Sequence, residues 1–333
     1  MVSDLPDWAD KNRMSEVIAK QVTPAEEMRK RIEGIVDGSI RPTATPWLHF
    51  SEIKAAMPGS VNVVCGDPGS AKSLMVLQWF HHAHQSGNRV AIYELEGQRQ
   101  WHLMRLLVQM SGVTNMTNID WIQGHHEEAQ RVLEEHWHHI DSFGACIATS
   151  PTSSVTTEEI LQWVNRQLES GVKLIGIDPI TAIQQQDKPW IEDQILITQL
   201  RRAVDKHHAS AVIVTHPVKG RKHDIAMDVV AGGTAMVRFS DVVLWIERSK
   251  PNDRHIMPNG KTKDATEIVG VYPDQKRYTS GRVLHVLKCR DGTRSGDRLS
   301  MSLSPSCLRM ADNGWIHDIE EHDEPIAQEQ EPW

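Results

Sequence analysis

The sequence predicts an α/β fold: a mostly parallel central sheet with helices on both faces and an antiparallel extension at its C-terminal edge. Two observations carry this. From Trp47 onward, apolar strand-like runs alternate with helical stretches: VNVVC (61–65), RVAIYELE (89–96), ACIATS (145–150), KLIGID (173–178) and SAVIVTH (210–216). Such alternation builds parallel strands joined by crossover helices. The later runs, DVVLWIER (241–248), RVLHVLKCR (282–290) and RLSMSLS (298–304), follow without long helices between them, as antiparallel neighbours do. A third observation is the glycine-rich turn GDPGSAKS between the first strand and the next helix, which marks a phosphate-binding loop.

Taken in order, residues 1–45 read as an appendage. Thr23-Pro24-Ala25-Glu26 is a helix start with a threonine cap, proline at the first position and glutamate three residues after the cap. The helix it opens carries Met28, Ile32 and Ile35 along one face, and the polar linker RPTATPW follows. An amphipathic helix on a tether docks on its own domain or on another molecule, and the sequence leaves both open. Residues 46–310 form the main domain. Within it TTEEILQWVNRQLES begins with a capping box, Thr156 to Glu159, and residues 249–265 are a polar loop or hairpin. Residues 311–333 are an acidic tail expected to be disordered.

Composition sets the outer bounds. Of 333 residues, 39% are hydrophobic and 24% charged, as in ordinary globular proteins. No apolar run approaches the roughly 20 residues of a membrane-spanning helix, and the N-terminus lacks a secretion signal's apolar core. Four scattered cysteines suit reduced thiols in a cytoplasmic setting. The net charge of −8 is concentrated: the last sixteen residues hold seven acids, and the remaining chain carries only −1. A near-neutral body can still present a basic loop to phosphates. The histidine-rich run at 124–140 has no metal-ligand spacing and reads as a solvated helix. The eleven tryptophans are expected mainly in packing.

Five segments carry chemistry. Gly66, Asp67, Pro68, Gly69, Ser70, Ala71, Lys72 and Ser73 match the Walker A pattern except at Ala71, where the pattern has glycine. Lys72 is placed to reach the β- and γ-phosphates of ATP and Ser73 to hold Mg²⁺; right-handed backbone angles at position 71 would suit alanine. KLIGID ends in Asp178, a Walker B carboxylate that would hold the same Mg²⁺. RVAIYELEG offers Glu94 or Glu96 to polarise the attacking water; both point the same way from a strand, so spacing does not choose. SAVIVTH ends in His216 and is followed by Lys219, Arg221, Lys222 and His223, a polar strand tip feeding a basic loop. Lys288 and Arg290 alternate on the tip of a later strand, where they could reach a neighbour's nucleotide.

These five parts, in this order, resemble the RecA-like motor domain of ring-forming replicative helicases. The resemblance is to the DnaB-like superfamily, especially phage primase-helicases and the mitochondrial Twinkle helicase, and runs from about Trp47 to Ser304. It rests most on GDPGSAKS, the Leu-Glu pair of YELEG, the VTHP strand tip, AGGTAMVRFSDVVLWIER and LKCRDG. It implies a RecA-like P-loop NTPase that hydrolyses ATP with Mg²⁺, assembles as a hexamer, translocates on single-stranded DNA and unwinds duplex. It selects Glu96 over Glu94 as the water-activating carboxylate, makes His216 the γ-phosphate sensor and assigns Lys288 and Arg290 to the adjacent subunit's ATP. It also lines the channel with Lys219, Arg221 and Lys222, and sets Arg238 near a nucleotide contact. The N-terminal helix then looks like a linker exchanged between neighbours. The tail, closed by Pro332-Trp333, is either a hook for a replication protein or a solubilising segment. Two departures stand out: Ala71 for glycine, and no primase domain in this sequence, so priming is not expected. Two other readings remain: a DNA-dependent RecA-like ATPase serving recombination or loading without unwinding, and a KaiC-like ATPase acting on proteins.

Overall fold

In the computed structural model, residues 23–149, 154–184, 188–221, 224–248 and 281–316 are described in full, with only the backbone of four short strands between the last two segments. The chain forms two compact units, Met1–Arg41 and Pro42–Trp333.

In the first unit, helix α1 (Pro24–Val36) starts with the expected capping box: Thr23 Oγ1 accepts from Glu26 N, and Glu26 reaches back to Thr23 N at 2.9 Å. Met28, Ile32 and Ile35 form an exposed apolar face.

The second unit is one nine-stranded sheet in the order β13-β12-β11-β6-β1-β5-β4-β2-β3. Its parallel part contains β1 (Val61–Cys65), β2 (Val90–Glu94), β3 (Ile147–Thr149), β4 (Leu174–Asp178), β5 (Ser210–Val214) and β6 (Val242–Arg248). Strands β1, β4 and β5 are buried along their whole length, which is why they read as continuous apolar runs rather than alternating ones. Two short antiparallel ladders follow: β7 (Arg254–Ile256) with β8 (Thr262–Asp264), and β9 (Gly270–Val271) with β10 (Arg277–Tyr278). The antiparallel extension is β11 (Gly281–Cys289), β12 (Arg298–Leu303) and β13 (Met310–Ile316). Strand β13 carries the sheet past the expected boundary at 310, because Trp315 and Met310 are buried core residues; the acidic tail beyond 316 lies outside the described residues.

Helices cover both faces. On one lie α2 (Lys72–Gln85), α3 (Arg99–Ser111), the short α4 (Ile119–Gly124) and α5 (His126–Gly144); on the other lie α6 (Thr157–Glu169), α7 (Pro189–Lys206) and the short α8 (Gly233–Phe239). The first face is keyed by an edge-to-face chain of rings, Trp47–Phe50–Trp79–Phe80, with centroids 5.1–6.4 Å apart. Phe80 packs so closely under Gly176 of β4 that a Cβ there would sit 3.0 Å from its ring. This contact seats the helix that follows the phosphate loop directly beneath the Walker B strand. Trp163 and Trp245 also pack in the core, whereas Trp101, Trp137 and Trp190 are exposed. The histidine-rich helix α5 leaves His138 and His139 in solvent, and no cluster of metal ligands occurs among the described residues. Among those residues no helix is long and apolar enough to cross a membrane.

Candidate nucleotide site

The site is built where β1 ends and α2 begins. Gly66 turns the chain so tightly over β6 that a Cβ would strike the Ile246 carbonyl oxygen. Ser70 N donates to Asp67 O at 3.1 Å, closing the loop. The first amides of α2 are left facing its centre, the arrangement that binds phosphate. Lys72 is buried and folds over the loop, donating to Gly66 O at 2.7 Å and Asp67 O at 3.0 Å. Burial pulls its ammonium below the ordinary lysine range, against the carboxylates of Asp178 and Glu96 that favour the charge. The Ser70 hydroxyl is buried without a hydrogen-bond partner among the described residues, an orphan inside an anion cradle. These groups fit a nucleotide phosphate.

Ala71 departs from expectation. Its φ of 81° and ψ of 25° lie in the left-handed region, not the right-handed one the helix start suggested. The loop keeps the shape glycine would give it, and the methyl carries a strain of about 1 kcal/mol.

At the tip of β4, Asp178 is buried and accepts a hydrogen bond from Ser73. Burial, with Glu94 beside it, pushes its carboxyl up to about 7. A hydroxyl and a carboxylate converging at a phosphate loop are the oxygen ligands Mg²⁺ takes.

The two glutamates do not share a strand face. Strand β2 stops at Glu94, held in register with Asp178, and the chain turns through Leu95, whose amide donates to Asp178 O at 2.9 Å. Glu94 is buried and Glu96 exposed. Burial raises Glu94 to about 8 and lowers His102 of α3 to about 4, so both are neutral near pH 7. His102 Nε2 lies 2.9 Å from Glu94 Oε2, a close polar contact rather than an aligned hydrogen bond. Glu96 faces the opening, near enough to Lys72 and His216 to act on both electrostatically. A cavity of about 430 Å³ joins Ser73, Asp178, Glu94, Glu96, Trp101 and His102.

His216 follows β5. Burial and Lys72 hold its imidazole below the usual histidine range, and its Nδ1 is buried without a partner among the described residues. Its carbonyl accepts from Ala231 N at 3.0 Å, and Val218 N donates to Val229 O at 2.8 Å, so the basic loop is a hairpin rooted at the strand tip. Lys219 is exposed there, but Arg221 is engaged by Asp224 and Asp228. Lys222 and His223 lie outside the described residues.

Lys288 and Arg290 lie at the other end of the sheet. In register, Cys289 pairs with Val242 and Val242 with Asn62, near the start of β1, whereas the phosphate loop leaves its end at Cys65. Lys288 donates to Val237 O, Arg238 O and Ser240 O at 2.6–3.2 Å, closing the C-terminus of α8. That differs from a residue reaching outward, since its protons are taken by carbonyls. Arg290 Nη1 contacts Asp241 Oδ1 at 2.8 Å and is half exposed. Arg238 is exposed on α8.

One residue beside the loop had no signal beyond a lone arginine at the head of an apolar strand. Arg282 of β11 is buried and donates Nε–H to Ser70 O at 3.0 Å, tying the antiparallel extension to the phosphate loop. Burial and Arg248 lower it to about 10.

A phosphate loop, a Walker B carboxylate and a parallel core extended by antiparallel strands define a RecA-like P-loop ATPase fold. The chain belongs to the AAA_25 family of AAA domains, whose model matches residues 23–222. Similar solved structures include one described as an ATPase domain (TM-score 0.67, 10% identity, covering 88% of this chain and 99% of that one). A DnaB-like replicative helicase described with its interactions with primase aligns with TM-score 0.67 and 12% identity, over 90% of this chain and 70% of that one. The RadB recombinase aligns with TM-score 0.52 and 13% identity, over 81% and 99%. No curated protein sequence matches the chain.

Proposed function

We propose that this protein is an ATP-driven, ring-forming helicase motor, a hexamer that translocates on single-stranded DNA and unwinds the duplex ahead. The carrying observation is the split between the two ends of the sheet. Lys72, Ser73, Asp178, Glu96 and His216 gather at one end, while Arg290, half exposed beside Asp241, lies at the other, too far along β1 to serve its own phosphate loop. A site finished by a neighbour's arginine needs a head-to-tail assembly, which is a ring where the rotation between copies closes.

In this reading Lys72 and the α2 amides neutralise the β- and γ-phosphates, and Ser73 and Asp178 would hold Mg²⁺, which would supply further positive charge to the phosphates. Glu96 orients the attacking water and takes its proton as the water oxygen bonds the γ-phosphorus. The β–γ bridging oxygen leaves with the electron pair on ADP, and Arg290 of the adjacent copy stabilises that charge. His216, between Lys72 and Glu96 at the root of the hairpin, transmits the loss of γ-phosphate to the loop carrying Lys219, Arg221 and Lys222 on the DNA backbone. The ATPase-domain and DnaB-like neighbours support the fold this needs.

The test is steady-state ATP hydrolysis with and without single-stranded DNA, with Lys72→Ala as blank, followed by a fork-unwinding assay. DNA-stimulated turnover with unwinding is expected. A rate that ignores DNA would overturn the motor reading. One observation favours the KaiC-like alternative: Arg221 is already neutralised by Asp224 and Asp228, which lowers the positive charge the loop offers to phosphates. DNA-stimulated turnover without unwinding would point instead to a recombination or loading ATPase.

A further inference from the structure

The carboxylate assigned to activate water has no hydrogen-bond partner of its own among the described residues. Its position depends on the backbone either side of it. One side chain meets both ends of that segment, the Glu94 carboxyl at one and the Gly97 backbone at the other. His102 Nε2 lies 2.9 Å from Glu94 Oε2, and a Cβ built on Gly97 would lie only 2.7 Å from the same nitrogen. Glu96 stands between those residues. The imidazole is buried, fixed on the first turn of α3 and braced by the Trp101 ring, edge-on at 4.8 Å. Across the turn, Leu95 N is tied to Asp178 O. Residues 94–97 are therefore pinned to β4 on one side and wedged against His102 on the other. Gly97 has no left-handed backbone demanding glycine; a side chain there would have to displace the imidazole.

We infer that His102 is the positioning residue for Glu96: its ring, set between the Glu94 carboxyl and the Gly97 backbone, determines where the Glu96 carboxylate stands. Removing the ring lets the turn relax, and adding a methyl at Gly97 pushes ring and turn apart. Both move the carboxylate without touching the phosphate loop. A displacement near 1 Å in a catalytic group is enough to cost about 100-fold in rate.

This rests on Glu96 as the water-activating group, so the experiment separates the two. With the full chain, kcat and KM for ATP are measured for Glu96→Gln, His102→Ala, Gly97→Ala and the His102→Ala/Gly97→Ala double variant, alongside thermal melting. The expected result is a fall in kcat of about 10- to 100-fold in each single variant at 102 and 97. KM should stay within about twofold of wild type, because the phosphate cradle is intact. The double variant should be no worse than His102→Ala alone, since the added methyl no longer meets a ring. Wild-type kcat in His102→Ala and Gly97→Ala, beside an inactive Glu96→Gln, overturns this inference and leaves Glu96 in its role. Wild-type turnover in Glu96→Gln overturns the Glu96 reading itself. Losses that multiply in the double variant, or a rise in KM that accounts for them, mean a structural role only and also overturn the inference. Should His102→Ala not fold, Gly97→Ala, at a half-exposed turn, carries the test alone.

Discussion

The two ends of the parallel sheet treat charge in opposite ways. At the end where β1 starts, Asp241 is buried and both its oxygens are taken: Arg201 at 2.7 Å, Arg290 at 2.8 Å and the Val61 amide at 2.9 Å. Lys288 beside it spends its protons on the carbonyls that end α8. At the end where the strands finish, Lys72 has only loop carbonyls, while Ser70 Oγ and His216 Nδ1 are buried without partners among the described residues. Asp178 and Glu94 sit side by side with raised pKa values. One end is internally satisfied and stabilises the fold. The other holds buried polar atoms, Ser70 Oγ and His216 Nδ1, without partners among the described residues, the condition expected where a charged ligand completes the set.

The sharpest way to break this comparison is to remove a group from the unsatisfied end. Lys72→Ala is expected to bring ATP hydrolysis down to background while leaving the melting temperature at or above wild type, because it removes a buried, desolvated charge whose hydrogen bonds go to loop carbonyls alone. A phosphate-release assay with a melting curve checks both halves.

Next in size is Arg290→Ala. Loss of a finger residue acting on a neighbouring site should cut hydrolysis by about 10³-fold, and cost about 1–2 kcal/mol of stability, since buried Asp241 Oδ1 loses its guanidinium partner. Mixing Lys72→Ala with Arg290→Ala subunits sharpens the point. Some interfaces in the mixture regain an intact lysine facing an intact arginine, so turnover should exceed that of either variant alone; no recovery would place Arg290 outside the reaction.

Asp241→Ala inverts the pattern. It leaves the Val61 amide and two guanidiniums without their acceptor and should cost about 2–3 kcal/mol in denaturant unfolding. Turnover per folded molecule should fall only through the altered hold on Arg290.

The smallest effect is expected at Ala71→Gly. Removing a methyl from a left-handed position should stabilise the chain by about 0.5 kcal/mol or less, after allowing for the greater freedom of glycine in the unfolded state. A loss of stability would mean the methyl makes contacts that outweigh its strain.

Much of this was legible in the chain. The strands of the parallel core followed from local hydrophobic pattern, because strands buried on both faces must be apolar throughout, and VNVVC, LIGID and SAVIV are largely so. The capping boxes at Thr23 and Thr156 are local too, closing within three residues. The Walker A residues read from glycine-rich spacing between a strand and a helix, and Asp178 and His216 from the ends of apolar runs.

Tertiary structure decided what depends on contacts between distant segments. Glu94 and Glu96 look equivalent in a strand of alternating residues, but β2 ends at its pairing limit with β4, and that break buries one and exposes the other. Arg282 reaches Ser70 across more than two hundred positions, and Lys288 closes a helix fifty residues earlier, neither of which any spacing rule anticipates. Arg221 reads in the sequence as a free cation, but the hairpin brings Asp224 and Asp228 against it. The left-handed angle at Ala71 is imposed by the loop closing over β6, against the preference of the residue itself. Composition and periodicity specify which face of an element is apolar; they carry no information about which polar groups from different elements meet once those faces are packed.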